Sequence, residues 1–379
     1  MTNALILSGG GARAAYQVGV LSAVNELLPA TTRNPFPIIC GTSAGAINAL
    51  ALASHSGSFY EAVADLNHIW ADLRTDKVFK TSWRALLGGA MRLFFSLFNE
   101  GVSKKQSLAL LDNEPLREFL AEYIDFDQLE MGLKRGDLKA ICTTAMNYST
   151  GESVSFFQGD KTVESWRRYR RIGVSAKLTL DHLMASAAIP ALFPAVKVNE
   201  DYYGDGALRQ VAPISPALHM GADRIFVIGV SNNRDPLSRS QYSRRLKYSP
   251  SIGQVFGQLF NSAFIDSLEG DLEHLERVNS LLNLIPDEVL QENKTRLRPV
   301  ETMVISPSKA LDKLAGRKIR HMPRSVRMFL RSTGATNKAG GAATTSYLLF
   351  EKPYLDELME LGYQDAMWEK DNIQEFFKV

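Results

Sequence analysis

The chain alternates short, unbroken apolar runs with longer amphipathic stretches. Asn3–Leu7 reads as a buried strand. Ala14–Leu28 reads as a helix, because Tyr16, Val20, Leu21, Val24 and Leu27/Leu28 recur near helical spacing. Phe36–Cys40 predicts a second buried strand and the alanine-rich Ala44–Ala53 a second helix. Further strands are expected at Leu138–Ala145, Ser153–Phe157, Ile225–Ser231 and Thr302–Ser306. Apolar runs of this kind, separated by helices, imply an α/β fold: a mainly parallel central sheet in a three-layer α/β/α arrangement. Two segments break the rhythm. Residues from about 76 to 108 insert a greasy stretch, Trp83–Phe98, whose apolar side chains would cover most of a helix's circumference. Such a helix either packs under the fold or forms a lid or lipid-contact wall. Residues from about 232 to 251 are polar and basic and read as a loop. After Pro307 the pattern is helical to the C-terminus. The expected organisation is an α/β unit over 1–309 with a helical extension over 310–379 packed on it.

Composition narrows the function classes. The 379 residues are 45% hydrophobic and 22% charged, as in an ordinary globular protein. A formal net charge of +2 gives no global field for nucleic acid. The basic stretches Arg167–Arg171 and Lys313–Arg331 lack aromatic or motif support for such a role. They read as solvated faces or as attraction to anionic lipid head groups. Cys40 and Cys142 stand alone in apolar strands, which predicts buried free thiols and neither a disulfide framework nor a metal site. No Lys or Arg precedes the first apolar run, so the start does not read as a signal peptide. No run reaches the roughly 18 apolar residues of a membrane span. The expected location is the cytoplasm, with transient contact to a membrane surface.

Three local patterns carry chemistry. Strand "FPIIC" runs into "GTSAG" and then a helix, which is G-x-S-x-G in its strand–turn–helix context. Gly41 and Gly45 let the turn close, and Ser43 is presented at a helix N-terminus as a candidate nucleophile. The first strand runs into Gly9, Gly10 and Gly11, a turn suited to holding an anion, either a nucleotide phosphate or a charge formed during reaction. It lacks the Lys-Ser/Thr of a P-loop and the G-x-G-x-x-G spacing of a dinucleotide site. A nucleophilic serine needs a base. None of the six histidines sits in a turn just after a core strand. Asp205, bracketed by Gly204 and Gly206 after Tyr202 and Tyr203, is placed as a site residue or as a turn aspartate.

Taken together, "GGGARAAYQVGVL", "GTSAGAINA" and "DGALRQVAP", with "ASAAIPALFPAV" before the last, resemble the patatin-like phospholipases over roughly residues 3–231. That resemblance implies a Ser43–Asp205 dyad without histidine, an oxyanion hole formed by the Gly9, Gly10 and Gly11 amides, and no metal or cofactor. It also suggests that Arg13 meets a substrate phosphate; the alternative is an arginine that pins the loop to neighbouring backbone. Two positions depart from the family pattern: Ala14 replaces a usual glycine, and the acid motif is D-G-A in place of D-G-G. The expected function is hydrolysis of fatty-acyl esters of phospholipids or lysophospholipids through an acyl-enzyme. The alternatives are an acyltransferase using the same intermediate and a catalytically quiet lipid-binding regulator.

Overall fold

The computed structural model describes the chain except residues 56, 97–108, 232–248, 250, 287–288, 290–296, 333 and 335–341. Among the described residues ten strands form one sheet. They are β1 (Asn3–Leu7), β2 (Ile38–Thr42), β3 (Ala140–Asn147), β4 (Ser153–Gly159), β5 (Trp166–Arg168), β6 (Arg171–Ser175), β7 (Val196–Val198), β8 (Asp201–Asp205), β9 (Arg224–Ile228) and β10 (Glu301–Ile305). The order is β10-β9-β1-β2-β3-β4-β6-β5, with β8 pairing β3 and β7 pairing β8. The five strands β10, β9, β1, β2 and β3 are parallel, as expected. β2 starts two residues later than the apolar pattern suggests. Pro37 has no N–H for the ladder; its carbonyl instead accepts from the Lys139 and Ala140 amides.

Past β3 the parallel order ends. β4 returns antiparallel because residues 148–152 close a tight turn. Asn147 Oδ1 accepts from the Ser149 and Thr150 amides, and Gly151 takes φ +66°. The basic Arg167–Arg171 stretch, read from sequence as a solvated face, is an exposed β5–β6 hairpin at the sheet edge.

Side chains alternate between two covered faces. Leu5, Leu7, Ile39, Phe226 and Ile228 face helices α1 (Ala15–Leu27), α2 (Ala44–Ala53) and α3 (Phe59–Asp72). Ala4, Ile6, Ile38, Cys40, Ile225 and Val227 face the other layer, built from Ser215–His219 and Ser267–Leu282. Cys40 and Cys142 are register partners on β2 and β3, both buried and free.

The greasy insert is the helix α4 (Trp83–Ser96). It seats only a narrow seam. Leu86 is fully buried, and a Cβ on Gly89 would strike the Leu110 carbonyl. Trp83, Leu87, Met91, Phe94 and Phe95 are 44–58% exposed. Its continuation to Phe98 lies outside the described residues. The short α5 (Leu180–Ser186) follows β6. C-terminal helices α6 (Arg324–Ser332), α7 (Ala342–Leu348) and α8 (Lys352–Trp368) complete the first layer. Leu348, Leu355 and Leu358 share one buried cluster with Leu5 and Leu7. α8 crosses α1 with the backbones nearly touching, since a Cβ on Gly19 would hit the Met359 carbonyl and one on Gly362 the Tyr16 carbonyl.

Candidate active site

β2 ends at Thr42 and α2 begins at Ala44, which leaves Ser43 alone in the turn at φ +55°, ψ −127°. A non-glycine residue held there stores on the order of 1–3 kcal/mol of strain. The surroundings over-determine it. The Ser43 amide donates to Ser186 Oγ at 2.9 Å, and the Ser43 carbonyl accepts from the Ala46 and Ile47 amides. A Cβ on Gly45 would overlap the Leu7 and Ser8 carbonyls, and one on Gly41 would meet Ala46, so both positions must be glycine for the turn to close.

Strand register brings Asp205 to this turn. β2 pairs with β3 as far as Thr42 opposite Thr144. One residue further along β3, Ala145 pairs with Asp205 of antiparallel β8. β4 occupies the other edge of β3, so β2 and β8 share one edge and end head to head. Ser43 Oγ donates to Asp205 Oδ2 at 2.5 Å across that junction. Asp205 Oδ1 accepts from the Ala207 amide at 2.9 Å. The D-G-A motif therefore supplies a backbone donor to the acid. Asp205 has no solvent exposure. Burial pushes its carboxyl up to about 7, against the opposing pull of the Ser43 hydroxyl and the Ala207 amide. Among the described residues no histidine hydrogen-bonds either side chain.

The glycine loop leaves β1 beside this pair, and a Cβ on Gly9 would lie 3.1 Å from Ser43 Cβ. Among the described residues the amides of Gly9, Gly10 and Gly11 donate no hydrogen bond. Gly9 packs under the Phe264 ring and Gly10 on Val230; Gly11, at φ +54°, leaves no room for a Cβ against the Tyr347 carbonyl. Ala14, the departure from the family pattern, is fully buried, and its carbonyl accepts from Asn48 Nδ2 at 3.1 Å.

Arg13 is 4% exposed. Its Nε donates to Ser346 Oγ at 2.8 Å, and its guanidinium carbon lies 4.0 Å from the centre of the Tyr347 ring. Of the two sequence readings, this geometry matches the loop pin. It turns Arg13 into α7.

A small, largely apolar pocket opens from Ser43. Gly11, Ser43 and Ala44 form one end, and Ile47, Trp70, Leu116 and Phe193 the apolar remainder.

Sequence reasoning did not single out three supports of the site. Ser186, inside the "ASAAIPALFPAV" segment, accepts from Ser43 and donates to the Thr144 carbonyl at 2.6 Å, so it fixes the elbow to β3. Gln17, Asn48 and Trp70 form a buried relay: Trp70 Nε1 donates to Asn48 Oδ1, Asn48 Nδ2 to Gln17 Oε1, and Gln17 Nε2 to the Ser8 carbonyl. Tyr148 lies over Gly204 beside the acid, its hydroxyl pushed up by burial and then by the Asp205 charge. Only the helical position of Gln17 and Asn48 on buried faces offered a signal.

Residues 5–218 match the family model described as patatin-like phospholipase. Among curated proteins, the cGAMP-activated phospholipase of Pseudomonas aeruginosa (strain BWHPSA011 / Pa011) is 30% identical over 218 residues, which is 57% of this chain and 55% of that protein. The chain thus spans about half the length of that relative. Two solved structures are more distantly similar. VipD from Legionella pneumophila has 13% identity and a TM-score of 0.33 over 98% of this chain and 67% of that one. Human GIVD cytosolic phospholipase A2 has 12% identity and a TM-score of 0.41 over 100% of this chain and 59% of that one. Neither likeness is close enough to inform the chemistry.

Proposed function

The chain belongs to the patatin-like phospholipase family, and we propose that it is a serine acyl-ester hydrolase of phospholipids or lysophospholipids, with Ser43 as nucleophile and Asp205 as its base. The observation that carries this reading is the buried 2.5 Å Ser43–Asp205 hydrogen bond at the end of an apolar cavity. The acyl chain reaches Ser43 through that apolar pocket. Ser43 Oγ attacks the ester carbonyl carbon while its proton passes to Asp205. The carbonyl oxygen becomes an oxyanion, met by the free amides of Gly9, Gly10 and Gly11; one such donor is worth roughly 3 kcal/mol in other enzymes. Collapse expels the alcohol or lysolipid, which takes the proton from Asp205, and leaves acyl-Ser43. Water then attacks the acyl carbon, gives a proton to Asp205 and forms a second oxyanion. Its collapse releases the fatty acid, and Asp205 returns the proton to Ser43 Oγ. The hydrolytic unit is residues 1–309, and the helices of 310–379 cover its α1–α2 face.

The test is fatty-acid release from phosphatidylcholine and lysophosphatidylcholine vesicles and from a soluble p-nitrophenyl ester. Cleavage of none of them by the wild type would sink the proposal. Added alcohol acceptors, if acylated in preference to water, would change the outcome to acyl transfer.

The pH dependence follows from Asp205. The base must be ionised, and its carboxyl titrates near 7. kcat/KM for the soluble ester is therefore expected to rise about tenfold per pH unit below that value and level off above it. A flat profile from about pH 5 to pH 8 would remove Asp205 as the base.

α4 supports peripheral membrane contact. Its exposed Trp83, Leu87, Met91 and Phe95 stand beside exposed Arg84 and Arg92. α6 adds exposed Arg324, Met328 and Arg331, and is tied to the start of α4 where Ser325 Oγ donates to the Thr81 carbonyl. Apolar side chains flanked by cations suit an anionic bilayer surface. Leu87→Glu with Phe95→Asp is expected to slow hydrolysis of anionic vesicles at least tenfold more than hydrolysis of the soluble ester. Equal losses on both substrates would assign the helix to the core alone.

A further inference from the structure

The C-terminal helix α7 meets the glycine loop at two points. Ser346 Oγ accepts from Arg13 Nε and donates to the Ala343 carbonyl, so its proton is committed and its direction fixed. Tyr347 lies under the Arg13 guanidinium, while its carbonyl closes the space beside Gly11. The Tyr347 ring is held in turn by Phe260 and Phe264, with ring centres 5.4 and 5.2 Å away, and its hydroxyl donates to Asn261 Oδ1 at 2.9 Å. Phe264 is also the ring that covers Gly9. Both ends of the three-glycine loop are thus gripped by residues that lie beyond the 5–218 family match. Among the described residues Arg13, a buried cation, has no carboxylate partner; a serine hydroxyl and an aromatic face take that place. A carboxylate there would neutralise positive charge next to the loop, whereas a hydroxyl and a ring orient the guanidinium and leave its charge intact.

We propose that Ser346 and Tyr347 are positioning residues for the reaction: by orienting Arg13 and seating Gly11, they hold the loop amides in the geometry that receives the oxyanion. This rests on the proposed role of the loop. It makes α7 a requirement for turnover and not only for folding. The family-matched part of the chain would then carry the reacting groups, and the C-terminal part would set the shape of the charge-stabilising loop. The effect belongs to the transition state, so it reads out in kcat and leaves KM alone.

The test uses the full chain with Ser346→Ala, Tyr347→Leu, Tyr347→Phe and Leu358→Ala. Leu358 is fully buried on α8 and takes no part in the hydrogen bonds and ring contacts that hold the loop. Each variant is assayed for kcat and KM on the soluble ester, for Tm, and for the rate of inactivation by an alkyl p-nitrophenyl phosphonate. In that inactivation Ser43 Oγ bonds to phosphorus, p-nitrophenolate departs with the bonding pair, and the serine proton passes to Asp205. The phosphoryl oxygen then occupies the oxyanion position. Ser346→Ala and Tyr347→Leu are each expected to lower kcat and the inactivation rate together by roughly tenfold, the scale of one lost hydrogen bond to a charged group, with KM within twofold. The pH midpoint stays near 7 because Asp205 is untouched. Tyr347→Phe keeps the ring under the guanidinium and recovers most of the rate lost in Tyr347→Leu. Leu358→Ala lowers Tm without lowering kcat. Unchanged kcat in Ser346→Ala, a rise in KM alone, or an equal kcat loss in Leu358→Ala overturns the proposal. A Ser43→Ala enzyme with full activity would instead overturn the dyad reading on which it rests.

Discussion

Ser43→Ala is expected to lower ester turnover on the order of 10⁴-fold or more, the scale of nucleophile removal in serine hydrolases, while the protein remains folded. Without Oγ there is no atom to carry the acyl group. The cavity and the glycine loop are unchanged, so lipid still binds. Alanine tolerates the left-handed turn no better and no worse than serine, and the Ser186 and α2 hydrogen bonds use only the Ser43 backbone. The one lost bond is to Asp205, which keeps the Ala207 amide and is driven further toward its neutral form. Tm should therefore move by only a few degrees. Steady-state hydrolysis, phosphonate labelling and thermal melts check this together. Residual activity within about tenfold of wild type would remove Ser43 as nucleophile.

Asp205→Asn is expected to pull activity and stability in opposite directions. Asparagine cannot accept the serine proton, so turnover should fall on the order of 10³-fold. The stability sign follows from linkage. The carboxyl titrates near 7 when folded, against a model value of 3.8. Between those values the folded state holds the extra proton. The contribution to stability is therefore complete only below 3.8 and is lost progressively as pH rises from there to about 7. Above it, an ionised Asp205 destabilises the fold by roughly 4 kcal/mol relative to its protonated form. The asparagine variant carries no such burden. Its Tm should match wild type below about pH 4, pull ahead as pH rises from about 4 to about 7, and keep that lead above it. A Tm gap that is constant with pH, or that shrinks as pH rises, would contradict the raised carboxyl.

Ser43, Asp205 and the glycines were legible because each lies in a local pattern of strand, glycine and turn that needs no partner to be recognised. Their meeting was not. It depends on β8 continuing the edge of β3 where β2 leaves off, and register between distant strands leaves no trace in either sequence alone. The parallel half of the sheet could be read from its doubly apolar strands. The turn back at residues 148–152 and the exposed β5–β6 hairpin could not, because arginines on an edge strand look like any solvated stretch. Arg13 was ambiguous for the same reason: its partners, Ser346 and Tyr347, lie more than 300 positions away. Ser186 hid among small residues whose spacing says only that something packs closely there.

The head-to-head ending of β2 and β8 also has a temporal side. Ser43 and Asp205 are separated by 162 positions, and neighbouring residues of a third strand, Thr144 and Ala145, bring them into line. Pairings that close such long loops form late in folding. A growing chain thus carries its serine elbow well before the acid that activates it has been made. On the proposed dyad, ester cleavage therefore waits for the docking of β8.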